Sequence, residues 1–108
     1  MKLIDQKCQA IAAGTLPISN NEANELRLEI SLWILDDNSI SREFKFPDFN
    51  RAMQFVNGVA ELANKENHHP DIYISYNIVR LLLSTHKIGG LSMNDFILAA
   101  KIDRLVNP

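Results

Sequence analysis

All three histidines of the chain fall between residues 68 and 86. Two are adjacent, in Asn67-His68-His69-Pro70-Asp71. The third closes Ser84-Thr85-His86, just ahead of Lys87-Ile88-Gly89-Gly90-Leu91-Ser92. Histidine is the side chain whose unperturbed pKa, about 6.5, lies nearest working pH. Three imidazoles converging from two loops are the arrangement expected of a proton-transfer site. Each has a plainer explanation on its own: a histidine near a helix C-terminus is favoured by the dipole. A Ser-x-x-Asp such as Ser92 to Asp95 is an ordinary capping box. Together, with every histidine at one end of one hairpin, they point to a site. Asp95, just past the second loop, is placed to orient a histidine or to hold a cationic group of a ligand.

Other chemistries fit less well. Three histidines suit zinc. Adjacent residues such as His68 and His69 point to opposite sides of extended chain, however, which spoils shared coordination. A Ser-His-Asp hydrolase lacks its Gly-x-Ser-x-Gly elbow, and Ser84 lies at a strand end. Gly89-Gly90 belongs to neither phosphate-loop pattern. Cys8 is the lone cysteine, which leaves no internal disulfide and no Cys-x-x-Cys motif. It reads as a partly buried free thiol.

The elements that must carry these residues follow from periodicity. Residues 1–18 read as an irregular or short helical lead-in, an N-terminal extension ending at Gly14 and Pro17. Ser19 to Glu22 is a capping box, and a helix is predicted over 20–29. Ser31 to Leu35 reads as a strand, and Asp36 to Ser39 as a turn. In Ile40 to Phe46 the even positions are apolar except Arg42, which predicts a half-buried antiparallel strand hairpinned to the one before. Asp48 caps a long helix over 49–66, whose apolar residues recur every three or four. His69-Pro70 is expected to end it. Residues 72–76 and 78–84 read as two more strands turning at Tyr76-Asn77, and Ser92 caps a last helix. The predicted fold is α+β, a four-stranded antiparallel sheet with helices packed on one face, in the order α-β-β-α-β-β-α. In such a hairpin the start of the third strand lies beside the end of the fourth. This brings His86 to His68 and His69.

A chain of 108 residues with 46% hydrophobic residues makes one small domain over 1–108, and a small domain gains from homo-oligomerisation. The run Ile78 to Leu83 reads as an apolar strand whose open edge a second subunit would cover. The net charge of −2 argues against a nucleic-acid partner. With no signal-peptide core and no membrane-length apolar run, the expected compartment is the cytoplasm.

The same residues carry a family resemblance. The order runs from Trp33 through Arg42-Glu43-Phe44-Lys45-Phe46-Pro47-Asp48-Phe49 and Val59-Ala60-Glu61-Leu62-Ala63. It continues through His68-His69-Pro70-Asp71, Tyr76-Asn77-Ile78-Val79, Leu83-Ser84-Thr85-His86, Gly89-Gly90-Leu91-Ser92 and Asp95-Phe96 to Ile102-Asp103. It closely resembles the pterin-4a-carbinolamine dehydratase family. The pairing of His-His-Pro-[Asp/Glu] with Thr-His-x-x-Gly-Gly-Leu-[Ser/Thr]-x-x-Asp is specific. The resemblance implies a lyase that removes the 4a-hydroxyl of 4a-hydroxytetrahydropterin to give quinonoid dihydropterin, in tetrahydropterin recycling. It implies the pterin as substrate, no cofactor, no metal, and a homodimer or homotetramer. By motif position it makes His68, His69, His86 and Asp95 the catalytic residues. Asn67, Ser84, Thr85 and Lys87 become the substrate-binding ones. Two positions depart: Ile72 stands where some members carry Trp, and Asn64 where many carry Glu. Asn64 removes a carboxylate suited to a guanidine-like pterin edge, and Glu66, two residues on, is expected to face elsewhere on the helix. The alternatives are a non-catalytic pterin-binding or interaction module on the same fold, and a dehydratase acting on another pterin.

Overall fold

The computed structural model describes residues 2–108. A 3-10 turn at Leu3–Asp5 buries Leu3. Helix α1 spans Asn20–Leu26, with the Ser19 side chain accepting from the Glu22 N–H. It runs on as a 3-10 turn over Arg27–Ile30. Strand β1 is only Ile34–Leu35, β2 is Ile40–Lys45, and α2 is Phe49–Glu66, capped by Asp48. Strands β3, Asp71–Ser75, and β4, Ile78–Leu83, precede a 3-10 turn at His86–Ile88 and helix α3, Met93–Val106. This is the expected α+β order.

Three details differ from expectation. The first strand is shorter than 31–35, because the chain stays helical to Ile30 and Trp33 then plunges into the core. The long helix spans 49–66 as expected, but what stops it is not the His69-Pro70 pair: Asn67 takes the left-handed conformation, φ 54°, and its N–H donates to the Ala63 carbonyl. Asparagine tolerates that conformation better than most residues. The sheet order is β1-β2-β4-β3, so the apolar strand β4 is interior, not an edge. Its neighbours β2 and β3 cover both sides, which is why it can be apolar almost throughout. The long exposed edge is β3.

The register sorts the two faces. Ile40 opposes Leu83, Arg42 opposes Leu81 and Phe44 opposes Val79. On this face every one of these side chains but Arg42 is buried, beneath α2 and α3. Arg42 is accommodated because its guanidinium lies over the Phe44 ring and pairs with Asp103 of α3 at 2.7 Å. Asp103 also accepts from the Trp33 indole at 2.8 Å. The other face carries Glu43 opposite Arg80 and Tyr73 opposite Arg80 in register, and stays open to water. Trp33, Phe96, Leu98, Val59 and Leu81 lie at the centre of one contiguous core. At roughly 25 cal/mol per Å² of apolar surface removed from water, that core is the main source of stability.

Candidate active site

The site is assembled by two chain reversals. At the first, the αL Asn67 turns the chain out of α2, and the His68 N–H donates to the Ala63 carbonyl at 3.2 Å. At the second, Thr85 bridges to Gly90, with Thr85 N–H to Gly90 O at 2.8 Å, around the His86–Ile88 turn. Gly89 closes that turn at φ +67°, where a side chain would be strained. A Cβ on Gly90 would meet Pro17 at 3.0 Å, so the second glycine permits a close approach of the N-terminal segment. Asp71 opposes Leu82 across β3 and β4, and this register sets the two reversals side by side. His68, His69 and His86 consequently line one cleft of about 320 Å³, together with Asn67, Ser84, Thr85 and Lys87.

Asp95 lies beneath the cleft, fully buried. One carboxylate oxygen sits 2.6 Å from His68 Nε2. The other accepts from the Thr85 hydroxyl at 2.8 Å and the Ser92 N–H at 3.0 Å. A carboxylate only accepts, so His68 carries its proton on Nε2 and keeps a lone pair on Nδ1. His69 Nε2 meets the Asn64 side-chain oxygen at 2.9 Å, which favours the same tautomer. His86 is exposed and, among the described residues, its side chain has no hydrogen-bond partner. Its ring is open to a ligand.

The four residues matched to substrate binding turn out to be largely engaged within the protein. Thr85 is buried and its hydroxyl serves Asp95 and Ser92. The Ser84 hydroxyl donates to the Asn38 carbonyl at 2.7 Å, and Lys87 Nζ to the Ile11 carbonyl at 3.1 Å. Only the Asn67 side chain is uncommitted among them.

Sequence reasoning missed the N-terminal wall. Gln9, Ala10 and Ile11 line the same cleft, as does Asn94. The Asn94 carboxamide grips Gln9 from both sides, accepting from its N–H at 2.9 Å and donating to its carbonyl at 2.7 Å. Buried Glu66 accepts from the Cys8 N–H at 2.9 Å and from Lys101 at 2.8 Å. It does face away from the position of Asn64, as helix geometry requires. Burial alone would raise the Glu66 carboxyl, but the Cys8 N–H and the Lys101 ammonium outweigh it and hold it below the usual glutamate value. Cys8 is pushed the other way, to about 12, by burial and then by the Glu66 charge. Its thiol stays protonated and donates to the Asn94 carbonyl at 3.5 Å. Segment 7–11 has no helical or strand periodicity, so nothing in it signals this role.

Among the described residues, no three His, Cys, Asp or Glu side chains stand together where one metal ion would reach them. No helix among them is long and apolar enough to cross a membrane.

Comparison with known proteins agrees with this architecture. A protein of Nitrosomonas eutropha named "Putative pterin-4-alpha-carbinolamine dehydratase" is 46% identical over 105 residues, covering 96% of this chain and 93% of that one. A protein of the same name from Halorhodospira halophila is 43% identical, over 97% of this chain and 98% of that one. Among solved structures, the "transcriptional coactivator/pterin dehydratase" of Brucella melitensis superposes with a TM-score of 0.77 at 32% identity. It covers 82% of this chain and 97% of that one. A pterin dehydratase-like RuBisCO assembly factor of the alpha-carboxysome shares the fold, with a TM-score of 0.57 at 19% identity over 68% of this chain and 84% of that one. The family profile described as pterin 4 alpha carbinolamine dehydratase matches residues 16–105, a span that includes both chain reversals and the buried aspartate. The chain belongs to the pterin-4-alpha-carbinolamine dehydratase family.

Proposed function

We propose that this protein is a hydro-lyase that dehydrates 4a-hydroxytetrahydropterin to quinonoid dihydropterin, using histidine acid–base catalysis without a cofactor. The observation that carries the reading is His68 paired with the buried Asp95 in a cleft that His69 and His86 also line. The reaction needs a base for the N5 proton and an acid for the departing hydroxyl. His68 Nδ1, backed by Asp95, takes the N5 proton. The N5–H electrons form the N5=C4a bond as the C4a–O bond breaks. A second imidazole, His86 or His69, protonates the leaving hydroxide, so that water departs. General acid–base help of this kind contributes about 10²–10⁴-fold. That suffices for a carbinolamine, which loses water readily.

The pterin is the substrate in this reading, and the setting is tetrahydropterin recycling in the cytoplasm. The protein works as a homodimer or homotetramer, without nucleic acid or membrane. Support for the oligomer is the β3 edge, where Tyr73 and Ile74 are exposed, since an open apolar edge invites pairing. The same edge supports a second reading, an interaction module that keeps the fold and does no chemistry. One experiment separates them. The carbinolamine is generated by an aromatic amino-acid hydroxylase, and its decay is followed by ultraviolet absorbance. Decay accelerated by catalytic amounts of this protein supports the enzyme, and an unchanged decay leaves the interaction module.

A further inference from the structure

The segment Cys8–Ile11 is irregular chain, yet four of its backbone polar groups are held by side chains. Glu66 takes the Cys8 N–H, Asn94 takes both the N–H and the carbonyl of Gln9, and Lys87 takes the carbonyl of Ile11. The three anchors come from three different elements: the end of α2, the first turn of α3 and the His86–Ile88 turn. Each anchor lies within two residues of a site residue in sequence, Glu66 beside Asn67 and His68, Asn94 beside Asp95, and Lys87 beside His86. The same short pieces of backbone therefore set the positions of the imidazoles and of the segment. Gln9, Ala10 and Ile11 line the same cleft as the histidines. Residues 8–11 precede residue 16, where the family profile begins.

We propose that this strap is a ligand-binding wall of the site, with Gln9 as a specificity-determining residue. The inference rests on the pterin reading above. A pterin is flat, with an amide-like and guanidine-like edge that alternates donors and acceptors. The Gln9 side chain is exposed at the cleft and makes only a long, 3.5 Å contact with the Lys7 carbonyl. Its carboxamide offers one acceptor and two donors, the complement of such an edge. That edge needs a polar partner from the cleft, and Ser84, Thr85 and Lys87 are committed within the protein. The Asn94 carboxamide is already engaged with the strap backbone and cannot supply it.

The strap cannot simply be deleted, because Leu3 upstream is fully buried in the core. Point changes test it instead. In Gln9→Ala the ligand contact goes and the fold is untouched. In Asn94→Asp the side chain keeps its acceptor for the Gln9 N–H but turns an oxygen toward the Gln9 carbonyl, which loosens the strap. Binding of 7,8-dihydropterin is measured by fluorescence, with KM and kcat for the carbinolamine measured in parallel. We expect both variants to bind dihydropterin at least fivefold more weakly and to raise KM by a similar factor, with kcat within about twofold. The melting temperature of Gln9→Ala should equal that of the unmodified protein. Dihydropterin affinity and KM unchanged in Gln9→Ala, while the unmodified protein binds and turns over, overturn the strap inference alone. Failure of the unmodified protein to bind or turn over pterin overturns the functional reading, and the inference with it.

Discussion

His68 Nε2 and Asp95 Oδ1 lie 2.6 Å apart, joining the first residue after a helix cap to the first turn of a helix 27 positions later. Asp95 is 0% exposed, and its second oxygen is fixed by Thr85 and Ser92. The aspartate thus has no surface open to a ligand. In the proposed reaction it sets the tautomer and orientation of the His68 imidazole, as a positioning residue.

Replacing Asp95 with Asn tests that role. The new amide keeps its oxygen toward the Thr85 and Ser92 donors and presents its NH₂ to His68, which must then accept at Nε2 and carry its proton on Nδ1. The base is lost with the fold kept. Catalytic efficiency should fall at least tenfold, within the range for acid–base help. Stability should fall by about 1–3 kcal/mol, because a charge-assisted hydrogen bond becomes a neutral one. Steady-state kinetics and thermal melting on one preparation check both.

His69 and His86 are exposed at the cleft, whereas His68 has only 13% of its side chain exposed. His69→Ala and His86→Ala should each lower kcat/KM by more than about tenfold and leave the melting temperature nearly unchanged. His68→Ala should do the same to kcat/KM and also cost stability, since it orphans the Asp95 oxygen. The three losses should be non-additive, because groups that act as one unit fail together. A double-mutant cycle on His68 and His86 measures this.

Glu66 gives a pH signature. Its folded carboxyl is held below the usual value, so the native state carries fewer bound protons than the unfolded state between the two pKa values. Its contribution is fully present above the ordinary glutamate range, about 4.3. It is lost as pH falls below that range toward the lowered folded value. Melting temperature scanned from neutral pH down to pH 3 should fall more steeply in the unmodified protein than in Glu66→Gln. At neutral pH the variant should be less stable by about 1–3 kcal/mol.

Much of this was legible in the residues. Helix α2 matches its apolar spacing at both ends, and the Asp48 and Ser92 caps are local signals that need no tertiary context. The meeting of His68, His69 and His86 followed from one hairpin register. Strand order was not legible. β2 and β4 pair across a helix and a third strand, and the apolar run of β4 fits an uncovered edge as well as an interior strand. The strap was invisible for a related reason. Its bonds are side chain–backbone contacts across 58, 85 and 76 positions, and no periodicity records such contacts. Arg42 looked like a break in an alternating strand until Asp103 and the Phe44 ring supplied its partners.

Asp103 tests that last point. It accepts from both the Trp33 indole and Arg42 at the sheet–helix interface. Asp103→Ala orphans two donors at once, and should cost about 2–4 kcal/mol. Arg42→Ala removes one and leaves Trp33 paired, so it should cost less. Chemical denaturation of the two variants gives the order directly.

The β3 edge is the surface we propose for assembly, in place of the interior strand β4. A mass above that of a single chain is expected by light scattering at micromolar concentration, and Tyr73→Lys with Ile74→Lys should shift it toward the monomer. A monomeric mass in the unmodified protein contradicts edge pairing.

The central claim is that the imidazoles of this cleft perform the dehydration. Its most direct test is the ultraviolet decay of 4a-hydroxytetrahydropterin with the unmodified protein and with the His69→Ala/His86→Ala variant, both shown folded by circular dichroism. The account predicts rapid decay with the first and a rate close to the spontaneous one with the second. Equal acceleration by the two proteins, or none by either, would contradict it.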